Sequence, residues 1–120
     1  MIWATVPHIL GEQFLAKHEN SLGAIIRAGT ARNSAEGLTA LIEGYMTFGN
    51  TGDDATRVLA PTLIISAEED PLVPLSSAST LVDAIPNAEH LLIQASGHTI
   101  PIEHPEAWRS AVQSFLSRVQ

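Results

Sequence analysis

The sequence contains no cysteine and few basic residues, and each shortage excludes a class of chemistry. Without cysteine, neither disulfide bonds nor thiol catalysis can arise within these 120 residues. Six lysines and arginines stand against 13 acidic residues, and the net charge of −7 leaves no basic cluster that could neutralise phosphates. We therefore expect no nucleic-acid partner.

Long apolar runs are missing as well. No stretch approaches the roughly 18 apolar residues that mark a transmembrane helix, so we expect no membrane partner. The first eight residues carry no basic region, and their apolar run is broken before the core of a signal peptide could form. A cytoplasmic location follows as the default expectation.

The histidines lack the spacing of a metal site. No pair of them forms an H-E-x-x-H motif or another two-ligand helical pattern. The five are His8, His18, His90, His98 and His104. We expect neither a metal nor another cofactor.

Two short apolar runs in the second half of the chain predict buried strands. Residues 62–66 and 90–94 are apolar without alternation, which is typical of strands that are covered on both faces of a parallel sheet. Between them, residues 75–85 have the apolar spacing of a crossover helix, which Pro86 and Asn87 end. The pattern predicts a βαβ unit.

Polar turns follow both predicted strands. A right-handed crossover makes the strands parallel, so their carboxyl ends lie at one edge of the sheet. Asp70 follows the first strand and His98 the second. Because reactive groups of open α/β sheets collect at this edge, we expect Asp70 and His98 to be neighbours in space.

From about Leu59 onward the sequence resembles the C-terminal third of an α/β-hydrolase. The matching features are a Pro-Thr-Leu strand, a Glu-Glu-Asp-Pro-Leu-Val-Pro turn, a helix, a second strand, and Gly-His before a helix that begins at Pro105. The small residue that opens the acid turn, often glycine in the family, is Ala67 here. The family's order of nucleophile, acid and histidine implies that Asp70 is the triad acid and His98 the triad base.

The nucleophile that this resemblance requires is absent. The sequence contains no Gly-x-Ser-x-Gly elbow, and a full α/β-hydrolase runs to roughly 200 residues or more. Ser66 lies within a predicted strand, Ser76 and Ser77 are expected to cap the crossover helix, and Ser96 is too close to His98 in sequence to be the attacking group. The chain carries two thirds of a triad.

The first half predicts helices. Apolar residues from Ile9 to Leu15 and from Leu22 to Ala28 indicate two short helices, and Asn33 with Glu36 resembles a capping box at the start of a third that ends at Gly49. The third helix has an apolar stripe of Leu38, Leu41, Ile42, Tyr45 and Met46. The resemblance implies three parts: a helical cap-like segment (1–50), a linker (51–60) and the C-terminal βαβ-α part of a partial α/β-hydrolase fold (61–120).

Simpler interpretations exist for the candidate residues. Asp70 precedes proline and could be a turn residue alone, and His98 could be a solvated loop histidine. Their placement at the same predicted sheet edge favours the functional interpretation.

Other residues near the turns are given local roles: Glu68 and Glu69 as solvated residues, Gly97 as the site of a tight turn, Glu103 as the acceptor of a local amide, and His104 as a residue that precedes the last helix. Trp108, Phe115 and Leu116 are expected on the buried face of that helix.

Two functions stay open. The resemblance implies hydrolysis of an ester, lactone or similar acyl bond in a small molecule, loosely as in enol-lactonases. The alternative is a non-catalytic, self-associating interaction module derived from a truncated hydrolase. Since two parallel strands leave an open edge, we expect either a homo-oligomer or a second polypeptide that completes the sheet and supplies the nucleophile.

Overall fold

The computed structural model describes residues 6–30, 34–49 and 52–119. Its elements, in chain order, are a 3-10 turn Val6–Ile9, α1 Glu12–Thr30, α2 Ala35–Thr47, α3 Gly52–Ala55, β1 Thr62–Ala67, α4 Leu75–Ala84, β2 Ala88–Ile93, α5 Ile100–Glu103 and α6 Pro105–Arg118. None of the described helices is both long enough and apolar enough to cross a bilayer.

The two strands pair in parallel, with α4 as the crossover. The register runs from Thr62 opposite Ala88 to Ala67 opposite Ile93. This confirms the predicted α/β class and the βαβ unit. β2 begins two residues earlier than predicted, because the ladder already starts where Thr62 N donates to Asn87 O at 2.9 Å.

The strands are less covered than predicted. In β1 only Ala67 is fully buried, and the middle of β2 is exposed. The hydrophobic core consists of Ala67, Ile93 and Ile100, with Ile65 packed against it. Because Ala67 and Ile93 are the last residues of their strands, this core lies directly behind the turns that carry Asp70 and His98.

Two of the predicted helix features need correction. α4 begins at Leu75 after Pro74, whose φ of −65° suits a helix start, and no side chain caps it. Ser76 and Ser77 therefore lie inside the helix and do not cap it. α6 begins at Pro105 as predicted, but of its three large apolar residues only Phe115 is buried, since Trp108 and Leu116 remain 38% and 49% exposed.

The two short helices predicted near the start of the chain form the two parts of α1, on either side of a kink at His18. α1 continues through His18, whose backbone is non-helical at φ −115° and ψ 15°. The Phe14 ring stacks on the His18 ring at 4.1 Å between centroids, and a ring nitrogen of His18 donates to Phe14 O at 3.0 Å. The kink at His18 thus separates α1 into two helical parts, as predicted.

α2 forms as predicted, but its N-cap residue differs from the predicted one and the helix is not buried. Ser34 Oγ accepts from Gly37 N at 3.0 Å, so Ser34 is the N-cap residue. The predicted Asn33 lies outside the described residues. The helix ends at Thr47, and none of its residues is buried. α3 replaces part of the predicted linker, and the division into a cap-like segment, a linker and a core stays a prediction.

Candidate active site

Asp70 lies in the turn after β1, and both of its carboxylate oxygens have partners. Oδ1 accepts from Leu72 N at 2.8 Å and from Val73 N at 3.0 Å, which closes an Asx-type turn. This orients the second oxygen toward His98. The Asp70 side chain is only 9% exposed.

His98 lies in the loop after β2, at the same edge of the sheet. Its Nδ1 is 2.9 Å from Asp70 Oδ2, although 28 residues separate the two in sequence. The parallel register of β1 and β2 accounts for this proximity, because both strands end at this edge. The His98 side chain is 40% exposed, so its ring remains accessible.

The charge state of Asp70 decides the tautomer of His98. Burial alone would raise the pKa of Asp70, but the hydrogen bonds from His98, Val73 and Leu72 outweigh it and hold the pKa below its ordinary value. Asp70 is therefore a carboxylate at neutral pH and can only accept a hydrogen bond. A neutral His98 ring must then carry its proton on Nδ1, which leaves Nε2 as a free proton acceptor.

A groove opens beside this pair. Its volume is about 240 Å³, and its walls include Ile64, Val73 and Leu81 together with Asp70 and His98. A separate apolar cavity of about 440 Å³ lies along α2 and includes neither Asp70 nor His98. Only the first of these two cavities can bring a ligand to the acid–base pair.

The turns that carry Asp70 and His98 are joined by further hydrogen bonds. Glu69 N donates to Ser96 O at 2.9 Å, and Ala95 N donates to Glu68 Oε2 at 3.0 Å. Glu69 Oε2 accepts from Glu12 N at 2.8 Å, at the start of α1. The two glutamates are exposed turn residues, as expected, and each also accepts a hydrogen bond from a backbone amide.

The end of β2 is held in an uncommon conformation. Ala95 has φ of +50°, in the left-handed region that non-glycine residues seldom adopt. Its carbonyl accepts a hydrogen bond from His104 Nε2 at 3.0 Å. His104 is also the N-cap residue of α6, in agreement with its expected place before that helix.

Glu103 has a larger role than its sequence position indicated. We expected it to accept from one local amide. It accepts from the nearby backbone amides of Gly97 and Thr99, and in addition from the Thr99 hydroxyl and from Gly11 N. Since Gly11 is 92 residues away, no local pattern could have predicted this contact. The only available signal was an acidic residue directly after an apolar Ile-Pro-Ile segment.

The serines near the pair are engaged elsewhere. Ser96 is fully buried, and its Oγ donates to Gly97 O at 3.2 Å. Ser66 Oγ is 2.6 Å from His90 Nε2. Within residues 6–30, 34–49 and 52–119, no three histidine, aspartate or glutamate side chains gather as a metal site would require.

Comparison with known proteins gives consistent results. Residues 46–120 match the profile of the family described as "TAP-like protein". The "Putative carbamate hydrolase RutD" of Pantoea ananatis is 33% identical over 81 residues, which are 68% of this chain and 28% of the relative. The 2-hydroxy-6-oxo-6-(2'-aminophenyl)hexa-2,4-dienoic acid hydrolase of Metapseudomonas resinovorans is 39% identical over 62 residues, 52% of this chain and 21% of the relative.

Solved structures show the same relationship. MGS-M2, an α/β hydrolase enzyme from a Medee basin deep-sea metagenome library, superposes with a TM-score of 0.78 at 26% identity, covering 97% of this chain and 43% of its own. CarC, a serine hydrolase involved in carbazole degradation, gives 0.71 at 25% identity, covering 93% and 44%. The chain spans less than half the length of each of these relatives.

Proposed function

Because the chain belongs to the TAP-like protein family of the α/β-hydrolase superfamily, we propose that Asp70 and His98 are the acid and base of a triad that hydrolyses a small-molecule acyl bond. The observation that carries the proposal is the 2.9 Å contact between Asp70 Oδ2 and His98 Nδ1. A simple turn residue would need only the oxygen that bonds Leu72 and Val73. The second oxygen of Asp70 is committed to the imidazole.

The geometry defines a role for each atom of the pair. The Asp70 carboxylate holds the Nδ1 proton and orients the ring, so that the Nε2 lone pair can take a proton from an attacking hydroxyl. The imidazolium that forms is stabilised by the negative charge of Asp70. Nε2 then returns the proton to the leaving group, which completes acylation of the nucleophile, and the same base takes a proton from the water that hydrolyses this acyl intermediate.

The nucleophile in this proposal lies outside these 120 residues. The sequence has no Gly-x-Ser-x-Gly elbow, and the relatives contain more than twice as much chain. A further segment of polypeptide or a second chain would supply the serine. The substrate class is an ester, lactone or related acyl compound, which the hydrolase names of the relatives support. The proposal also includes a cap role for residues 1–50 and a cytoplasmic location.

The test is the hydrolysis of p-nitrophenyl acetate by the protein with its nucleophile-bearing part present. We expect His98→Ala to lower kcat by about 10²–10⁴-fold, the usual range for loss of a general base. His8→Ala is the matched control, because it removes an exposed histidine and exposed imidazoles can themselves cleave activated esters. Equal rates for the wild type and His98→Ala would contradict the proposal.

A second candidate function is a self-associating module without catalysis. Two observations favour it: β1 pairs with β2 alone in the described part of the chain, and α2 exposes Leu41, Ile42, Tyr45 and Met46 of its apolar stripe. Sedimentation velocity of the 120-residue chain tests it. Concentration-dependent dimers would support self-association, whereas a compact monomer at high concentration would contradict it.

A further inference from the structure

One carboxylate holds the backbone on both sides of His98. Glu103, the last residue of α5, accepts from Gly97 N through Oε2 at 2.8 Å. Its other oxygen, Oε1, accepts from Thr99 N at 3.0 Å and from Thr99 Oγ1 at 2.8 Å. Gly97 and Thr99 are the immediate neighbours of His98 in the chain. Glu103 therefore restrains the peptide units that set the direction of the His98 side chain.

The same carboxylate joins the His98 loop to the segment before α1. Oε2 of Glu103 also accepts from Gly11 N at 2.7 Å, and His98 N donates to Ile9 O at 2.7 Å. As a result, three successive amides, those of residues 97, 98 and 99, have fixed acceptors. The backbone that carries the His98 imidazole therefore has little freedom to rotate.

The two segments approach each other too closely for ordinary side chains. A β-carbon on Gly97 would collide with Gly11 N and would lie 2.6 Å from Leu10 C. A β-carbon on Gly11 would lie 2.9 Å from both Gly97 N and Glu103 Oε2. Gly97 is required by this contact and not by a left-handed φ, since no described glycine has a positive φ. Because Gly11 and Gly97 have no β-carbon, their backbones lie close enough for Glu103 Oε2 to accept from both amides.

We propose that Glu103 is a positioning residue for His98, which fixes the loop so that Nδ1 faces Asp70 and Nε2 faces the groove. The inference rests on the proposed acid–base role of His98. It adds the Glu103 carboxylate to the pair of Asp70 and His98. Glu103 contacts neither substrate nor reacting atoms and acts on His98 through the backbone.

The charge of Glu103 suits this role. Burial would raise the pKa of Glu103, but the hydrogen bonds from Gly97, Gly11 and Thr99 outweigh it and lower the pKa below its ordinary value. Glu103 is therefore ionised at neutral pH, and two anionic oxygens can accept all four donors. A glutamine offers only one accepting oxygen, and its amide group would face donors.

The tautomer of His98 separates positioning from simple stabilisation. Long-range ¹H–¹⁵N spectra of the 120-residue chain at alkaline pH report which ring nitrogen of a neutral imidazole carries the proton. We expect the Nδ1–H form in the wild type and a mixture of both tautomers in Glu103→Ala. Glu103→Gln should give a smaller admixture, because it keeps one acceptor oxygen.

Two controls make the result decisive. Glu106→Ala removes a 79% exposed carboxylate three residues away and should leave the Nδ1–H form intact. Ile85→Ala truncates a buried residue at the end of α4, so it lowers stability without touching the His98 loop. If Ile85→Ala mixes the tautomers as much as Glu103→Ala, the effect is one of general stability and the inference is overturned.

The remaining outcomes also decide the question. A pure Nδ1–H form in Glu103→Ala overturns the inference, and if that variant does not fold, a pure Nδ1–H form in Glu103→Gln does so. In the protein that hydrolyses ester, Glu103→Gln should lower kcat by about 10- to 100-fold with little change in KM. Because the tautomer does not depend on turnover, absence of ester hydrolysis would count against the proposed function and not against the role of Glu103.

Discussion

The His98 loop and α2 are both well-formed parts of this chain, but they are held in opposite ways. Around His98, Ile93 and Ile100 are each 8% exposed, and the amides of three successive loop residues have fixed acceptors. In α2, Tyr45 is 74% exposed and Met46 82%. One region is defined by contacts between distant segments, and the other by hydrogen bonds within its own helix.

The difference shows what local sequence can determine. Apolar periodicity correctly predicts that α2 is a helix and which face is apolar, and the Ser34 cap supports its start. It contains no information on what covers that face. An isolated 13-residue helix is marginal in water, and none of the residues of α2 is buried by the rest of the described chain.

The largest expected effect concerns activity at the pair. In the ester-hydrolysing protein, Asp70→Asn should lower kcat by about 10³–10⁴-fold, because the neutral amide no longer enforces the Nδ1–H tautomer or stabilises the imidazolium. Asp54→Asn is the control, since Asp54 is 67% exposed and forms a surface ion pair with Arg57 at 3.3 Å. If kcat falls equally in both variants, the loss in Asp70→Asn does not show a specific catalytic role for Asp70.

Truncation of apolar side chains should separate the two regions by stability. Ile93→Ala leaves a cavity in the core behind the active-site turns and should lower the free energy of unfolding by about 2–4 kcal/mol. Met46→Ala should change it by less than about 0.5 kcal/mol, since the side chain is already in solvent. Urea unfolding of both variants measures this contrast, and a cost for Met46→Ala as large as that for Ile93→Ala would mean that α2 is covered.

Two glycine-to-alanine substitutions should change the stability of the folded chain in opposite directions. Gly97→Ala forces a β-carbon into the backbone of Leu10 and Gly11 and should destabilise by about 1–3 kcal/mol. Gly44→Ala meets no atom within 4 Å and should stabilise α2 by about 0.5–1 kcal/mol, because alanine is the better helix former. Circular dichroism during thermal unfolding compares them. Equal tolerance of both changes would contradict the close contact at Gly97.

Acidification should weaken the His98 loop, and this effect should be smaller than those of the substitutions above. The pKa values of Asp70 and Glu103 are lowered in the folded chain, so their stabilisation is complete above the ordinary carboxyl pKa and is lost as pH falls through the lowered values. Denaturant midpoints should therefore fall with acidification, and less steeply in Glu103→Gln than in Glu106→Gln. If the denaturant midpoints of both variants fall equally with pH, the charge of Glu103 does not contribute to the stability of the folded chain.

The parts that sequence could predict are those that depend on local pattern plus chain handedness. The βαβ unit, the Pro105 helix start and the meeting of Asp70 with His98 all follow from strand spacing and one crossover. The acceptor role of Glu103 toward Gly11 does not, because it joins residues 92 positions apart without any repeating signal. Likewise, non-alternating strands predicted burial on both faces, but burial needs neighbouring elements that the described residues do not provide.

The proposed chemistry depends on one proton, which Asp70 holds on His98 Nδ1 so that Nε2 is free as a base. A proton NMR spectrum of the chain at neutral pH tests this most directly, because a ring proton in a hydrogen bond to a carboxylate exchanges slowly and resonates far downfield. We expect one such signal, assigned to His98 Hδ1, in the wild type and its loss in Asp70→Ala. If the folded wild type lacks the signal, or if Asp70→Ala keeps it, Asp70 does not hold a proton on Nδ1.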